Sequence, residues 1–391
     1  MRGNSSELSK HPTLRSSRQR KGRPIPLDTN SRMYEYSFVL IKQFNRENWS
    51  KDEGKYQPES DATDCHMIAG IDIGGTKIAV GVVDHAGRVL AREECPTAVS
   101  LGFVAAMHRT SELLRECVRR ANVELHGIGI GSPGPVDPKT GRLGDVNNLP
   151  GWEGGNPVEI LSREFGVPAA LENDADAAAL GELRWGAGKS RARFLYVTIG
   201  TGIGASLILD GQIYRGINGC HPEIGHHIID PSGPACSCGT RGCWESLAAG
   251  PAMTVWLREN SPESDGKGDV AAREIFERAE NADRSACAAV EREAFYLGLG
   301  LANLITLFAP EAIVLGGGVM RSAPLFMNRV REVIHENCRL VPTDRVEISL
   351  AALGADAGLI GAAEVWNHRF QLHGGEVESR FVPDRRGPIS S

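Results

Sequence analysis

Short apolar runs separated by glycine-rich turns open the ordered part of the chain. Met67-Ile-Ala-Gly-Ile-Asp-Ile, Ile78-Ala-Val-Gly-Val-Val and Arg88-Val-Leu-Ala-Arg predict three strands in a meander. From Leu101 to Val123 the apolar spacing becomes helical, and Arg115, Arg119 and Arg120 fall late, where the helix dipole favours cations. His126-Gly-Ile-Gly-Ile-Gly-Ser predicts a fourth strand. Ala169-Ala-Leu-Glu predicts a fifth, running straight into a helix that starts near Asp174. The series then begins again with Phe194-Leu-Tyr-Val-Thr-Ile, Gly204-Ala-Ser-Leu-Ile-Leu and Gly211-Gln-Ile-Tyr. Residues 284–308 are apolar on nearly every side and predict a buried helix. Ala312-Ile-Val-Leu predicts a strand that ends in Gly316-Gly317-Gly318. The economical architecture for this repetition is a duplicated α/β unit with a cleft between its halves.

Composition narrows the function classes. The 391 residues are 41% hydrophobic and 24% charged, as expected of a soluble globular chain with room for two domains. A net charge of −6 gives no reason to expect a nucleic-acid partner. The longest apolar stretch, Leu301 to Val319, is broken by Asn303, Pro310 and Glu311, so no membrane span is expected. Residues 1–66 differ from the rest. Positions 1–30 carry seven Lys/Arg against two acidic residues, with little apolar periodicity. This segment reads as a disordered basic extension, with a targeting segment or an early start codon as the other readings. The tail, 372–391, reads as flexible. Three of the nine cysteines form a tight cluster and the rest lack the spacing of a disulfide framework, which suits a reducing cytoplasm.

Two glycine turns carry the first chemistry. Asp72-Ile-Gly-Gly-Thr-Lys closes the first strand: Gly74 and Gly75 let backbone N–H groups approach phosphate oxygens, Thr76 adds a hydroxyl and Lys77 a cation. Asp72 suits Mg²⁺, directly or through water. Thr198-Ile-Gly-Thr-Gly-Ile-Gly, with Gly200, Thr201 and Gly202, occupies the matching place in the second unit. Two such turns on duplicated halves describe a nucleotide clamp for ATP, and Gly316, Gly317 and Gly318 suit close approach of an adenine or ribose. Asn173 and Asp174 fall at a strand end and helix start, where either can cap the helix. Ligands dock at strand C-termini in such sheets, so a carboxylate there can also take a proton from a sugar hydroxyl attacking a γ-phosphate. Asp176 reads as a first-turn acid favoured by the dipole.

His226, Cys236, Cys238 and Cys243 supply the Cys₃His donor set of a structural zinc site, with glycines at 239 and 242 for tight turns. Glu223 and Glu245 bracket it, as acceptors held toward a hydroxyl-rich ligand.

Together these motifs resemble the ROK family (repressor, open reading frame, kinase), and within it the glucokinase-like sugar kinases, over about Met67 to Ala363. The resemblance implies an α/β fold of the actin-like ATPase (ribonuclease H-like) type, whose two domains close on MgATP and a hexose. It implies a small domain at 67–177, completed by a C-terminal helix at about 355–371, and a large domain at 178–354 with the zinc loop and homodimer helices. Asp174 becomes the general base, and Gly134, Asn148, Asn173, Glu223, His226 and Glu245 line the sugar. Glucose, converted to glucose 6-phosphate, is the expected acceptor, with N-acetylhexosamines, mannose and fructose as alternatives. His227 and Arg241 take no role in the resemblance and read as surface residues. Two departures lie near the sugar: His221-Pro222 stands where many relatives carry a small residue, and Asp176 replaces a frequent asparagine. The family also contains sugar-sensing repressors with an N-terminal helix-turn-helix. Residues 1–66 have the length for one, but Pro24, Pro26 and Pro58 interrupt their periodicity and the 72–77 turn is intact.

Overall fold

In the computed structural model, residues 66–261 and 270–370 are described, and all of them belong to one compact unit. The expectations for residues 1–65 and 371–391 lie outside the described residues.

The first sheet contains β1 (Ile68–Ile73), β2 (Lys77–Val83), β3 (Val89–Pro96), β4 (Gly127–Ser132) and β7 (Ala169–Asn173). Helix α1 (Phe103–Ala121), a small hairpin of β5 (Val136–Asp137) and β6 (Arg142–Leu143), and α2 (Pro157–Phe165) are inserted among them. Strand order is β3-β2-β1-β4-β7, antiparallel through the meander and parallel from β1 onward. Helix α3 (Asp174–Trp185) leads to the second sheet: β8 (Arg193–Ile199), β9 (Ile203–Leu209), β10 (Gln212–Ile213), β11 (Ala312–Gly316) and β12 (Glu347–Leu350). Its order, β10-β9-β8-β11-β12, repeats the first, strand for strand, with the same directions. Helices α4 (Trp244–Ala248), α5 (Gly250–Asn260), α6 (Ala272–Glu280), α7 (Arg284–Phe308) and α8 (Met327–Asn337) belong to this half, and α9 (Ala357–Phe370) comes last.

The duplication, the meanders and the 284–308 helix follow the sequence pattern. The first helix starts at Phe103 rather than Leu101, because Gly102 at φ 82° sets off a preceding short 3₁₀ turn. Strand β10 is only two residues long. No expectation covered α2, α4, α5, α6, α8, β12 or the β5–β6 hairpin.

The glycine–isoleucine alternation of β4 has a packing cause. Ile128 and Ile130 join a core with Met107, Leu114 and Leu161. The glycine face takes α9 at backbone distance: a Cβ at Gly129 would lie 1.7 Å from Ala362 O, and one at Gly127 would strike the Trp366 ring. Gly70 on β1 meets Leu359 O in the same way. Helix α9 also crosses α3 closely, with Gly181 against Gly361, and α3 itself packs on β8 and β9 of the second sheet. The helix that follows β7 is thus held by elements of both sheets. The second core is larger, with α7 and Trp244 packed beneath β8, β9 and β11.

Candidate active site

Strand register brings the first group of polar residues to one level. Asp72 pairs in register with Gly131, and Ser132 with Asn173, so the C-terminal ends of β1, β4 and β7 share one edge. The turn after β1 is closed by Gly74 N–H donating to Lys77 O at 2.9 Å, and Thr97 donates its hydroxyl to Gly74 O at 2.5 Å. Gly75 lies under Asn148, whose Cβ would be 3.0 Å from any Cβ added there. Lys77 begins β2 and pairs with exposed Glu94 on β3 at 3.0 Å. Asp72 presses against the start of α9, where a side chain at Gly358 would meet its Oδ2 at 2.2 Å. Burial lifts the Asp72 carboxyl to about 6, and the charge of Asp174 adds to the rise against the opposing Lys77 and Arg92.

Asn173 and Asp174 divide the helix start between them. Asn173 is the cap: its Oδ1 accepts from Ala175 N at 2.9 Å and Asp176 N at 3.4 Å. Gly134 packs against Asn173, where a Cβ would sit 3.1 Å from Nδ2. Among the described residues Asp174 accepts from local backbone N–H groups, Ala175 N at 2.8 Å foremost, which leaves most of its carboxylate for a ligand. Its side chain is open to solvent yet surrounded by protein on most sides, and this enclosure raises its pKa.

Asp176 corrects the dipole reading. It is fully buried and takes part in an ion network, with Arg215 Nη1 at 2.5 Å and His221 Nδ1 at 2.9 Å from its Oδ2. Arg215 Nη2 reaches Glu172 at 2.6 Å. Burial opposes the Asp176 charge, but these cations outweigh it and its pKa falls.

The second glycine turn follows Thr198 at the end of β8. Gly200 N–H donates to Gly202 O at 2.9 Å, and Gly250 N–H, at the start of α5, donates to Gly200 O at 2.8 Å. Glu245 Oε2 accepts from Ile203 N at 2.9 Å and leaves no room for a Cβ at Gly202. Gly316 ends β11 in register with Thr198. Gly317, at φ 92°, approaches Ile199 O so closely that a Cβ would lie 2.2 Å away. Gly200, Thr201 and Gly318 border a cavity of about 810 Å³ whose far wall is Pro251, Phe276 and Arg321. Those three wall residues had no sequence motif; a proline just inside a helix start was the only signal for α5.

His226 and the three cysteines converge. Cys236 Sγ is 3.5 Å from His226 Nδ1, Cys238 Sγ is 3.6 Å from Cys243 Sγ, and all four donor atoms lie within 4.8 Å of one another. Gly239 and Gly242 both have positive φ, and Gly242 passes so near Asp230 O that no Cβ fits. Tetrahedral Zn–S bonds of about 2.3 Å separate donors by about 3.8 Å, so this set fits zinc. Glu223 precedes the short 3₁₀ turn that carries His226, and Gly225 in that turn packs on Ile203 O, beside the second glycine turn. His227 is half-buried with its ring edge-on to Trp244, rather than a surface residue, and stands outside the donor set; Arg241 is exposed. No helix among the described residues is long and apolar enough to cross a membrane.

Comparison with known proteins agrees with this arrangement. The ROK family model matches residues 68–369. A glucokinase from Thermotoga maritima is 33% identical over 316 residues, covering 77% of this chain and 98% of its own. A xylose repressor from Bacillus subtilis is 32% identical over 62% of this chain and 61% of its own. Among solved structures, a ROK hexokinase from Thermus thermophilus is 37% identical with a TM-score of 0.67, covering 79% of this chain and all of its own. A ROK family glucokinase from Streptomyces griseus, in complex with glucose and AMPPNP, is 31% identical with the same TM-score, covering 76% and 98%. The chain belongs to the ROK family, with its actin-like ATPase fold.

Proposed function

We propose that the protein is an ATP-dependent hexose kinase that phosphorylates glucose at its 6-hydroxyl. The observation that carries this reading is the solvent-open carboxylate of Asp174 at the start of α3, which shares only the Ala175 N–H with the cap Asn173 and acts electrostatically on Asp72 before the first glycine turn. In this reading Asp174 takes the hydroxyl proton as the oxygen attacks the γ-phosphate, a contribution typically of about 10²- to 10⁴-fold. Gly74, Gly75 and Thr76 on one lobe and Thr198, Gly200, Thr201 and Gly202 on the other hold the phosphates by backbone and hydroxyl donors, with Lys77 at the rim. The 810 Å³ cavity bordered by Gly318, at the end of the Gly316-Gly317-Gly318 run, receives the adenosine. Gly134, Asn148, Asn173, Glu223, His226 and Glu245 surround the sugar.

Burial and the charge of Asp174 raise the Asp72 pKa, which suits a divalent cation held by Asp72. Mg²⁺ there would neutralise phosphate charge. Zn²⁺ in the His226, Cys236, Cys238, Cys243 set would be structural, since four protein donors leave no open position. The two sheets act as lobes that close on the substrates, in a cytoplasmic homodimer.

Similarity to a xylose repressor supports a second reading, a sugar-responsive regulator. That reading leaves a solvent-open carboxylate and two phosphate turns without a purpose. ADP release measured against glucose, mannose, fructose, N-acetylglucosamine and N-acetylmannosamine separates the two. The kinase reading expects turnover with glucose above the others; sugar binding with no ADP release from any of them would favour the regulator.

A further inference from the structure

The loop between β10 and Glu223 is tied to the start of α3 by charge. Its turn is closed by Gly216 N–H donating to Cys220 O at 2.8 Å. From this loop Arg215 and His221 both reach Asp176, and Arg215 continues to Glu172 on β7. His221 is two residues before Glu223, and Asp176 is two residues after Asp174. One buried ion pair therefore joins the segment that presents Glu223 to the helix turn that presents the proposed base. The two departures noted in the sequence are each other's partners.

We propose that His221 is a positioning residue for phosphoryl transfer: its 2.9 Å pair with buried Asp176 fixes the Glu223 segment against the start of α3, which carries Asp174. This deepens the kinase reading and rests on it.

The surrounding charges link this pair to Asp174. Around Asp174 stand Asp72 from β1, Asp176 from its own helix and His221 from the loop. Asp176 opposes its ionisation and His221 assists it, while the Asp174 charge in turn raises the Asp72 pKa. Around His221 stand Asp176, Glu223, Asp174 and Arg215. Burial opposes the imidazolium, but the Asp176 hydrogen bond and charge outweigh it and raise the His221 pKa. Glu172 balances the far side of Arg215. With His221 neutral or absent, Asp174 loses that counter-charge, Arg215 being engaged by Asp176 and Glu172, and holds its proton to higher pH.

The test is the pH profile of kcat/KM for the sugar in the full-length chain, with KM for ATP measured in parallel. His221→Asn retains a hydrogen-bond donor for Asp176 but removes the charge, and His221→Lys restores charge. His221→Asn is expected to move the acid limb upward by about one pH unit, as loss of a nearby opposite charge does, and to raise the sugar KM several-fold with ATP KM unchanged. His221→Lys is expected to bring the limb back toward the wild-type position. A folded, active His221→Asn enzyme with an unmoved limb and unchanged sugar KM overturns the proposal alone. A wild type that releases no ADP with any sugar overturns the kinase reading beneath it.

Discussion

Asn173 and Asp174 are adjacent, polar and similar in size, yet the fold gives them different work. Because the amide accepts from the N–H groups of Ala175 and Asp176, the carboxylate shares only the Ala175 N–H and keeps its other lone pairs for a ligand. Asp72 pays for its place in the cleft with stability. A carboxyl raised from its ordinary value near 3.8 to about 6 contributes fully below its unfolded pKa and loses that contribution as pH rises through the folded value. Asp72→Asn is therefore expected to melt a few degrees above the ligand-free wild type at pH 7.5, with little difference at pH 4, while losing its response to MgATP. Thermal melts at the two pH values check this; a gap that shrinks as pH rises would contradict it. At this scale the sequence was partly legible. Asp72 and Asp174 stand where apolar strand pattern gives way to a turn or a helix, and that boundary is visible in one dimension. The Asp176–His221 pair spans 45 positions and depends on how a loop folds back, so local pattern could not reveal it.

Among the elements, the strands were the legible part. Alternation in β4 arises because one face meets an apolar core and the other meets the α9 backbone, so its glycines are as patterned as its isoleucines. Helices α4, α5 and α6 were not legible. All three are short and start without a side-chain cap, so that apart from Pro251 in α5 they leave neither a boundary signal nor enough turns to establish a period. Helix α7 was read correctly as a helix but not as buried on most sides: one face packs into the core while Phe295, Leu307 and Phe308 are exposed, and the buried face holds a polar surprise. Glu293 is fully buried, and neither carboxylate oxygen has a hydrogen-bond partner among the described residues. Burial pushes its pKa well above the usual carboxylate range, so its cost to stability grows as pH rises above about 4.5. Glu293→Met, similar in volume and apolar, is expected to stabilise the protein by about 1–3 kcal/mol at pH 8 and by less at pH 5. Denaturant unfolding at both pH values measures this; a destabilised variant at pH 8 would mean that the carboxylate has a partner in solution.

For the whole molecule, two sheets of identical strand order place two glycine turns at corresponding strand ends, and α3 links the sheets. The Cys₃His loop lies beside the second turn, where Gly225 packs on Ile203 and Glu245 accepts from the same residue's N–H. Cys238→Ala is thus expected to lose about one equivalent of zinc per chain, to lower the melting temperature and to raise KM for the sugar more than KM for ATP. Metal analysis alongside steady-state kinetics checks this, and a metal-free wild type would contradict it. The central claim concerns the start of α3: that Asp174 takes the sugar proton during transfer from ATP. It is tested most directly by comparing wild type and Asp174→Asn for kcat with glucose and ATP, together with the dissociation constants of both substrates. The account predicts a fall in kcat of about 10²-fold or more with near-normal binding. Comparable turnover in the variant would contradict it.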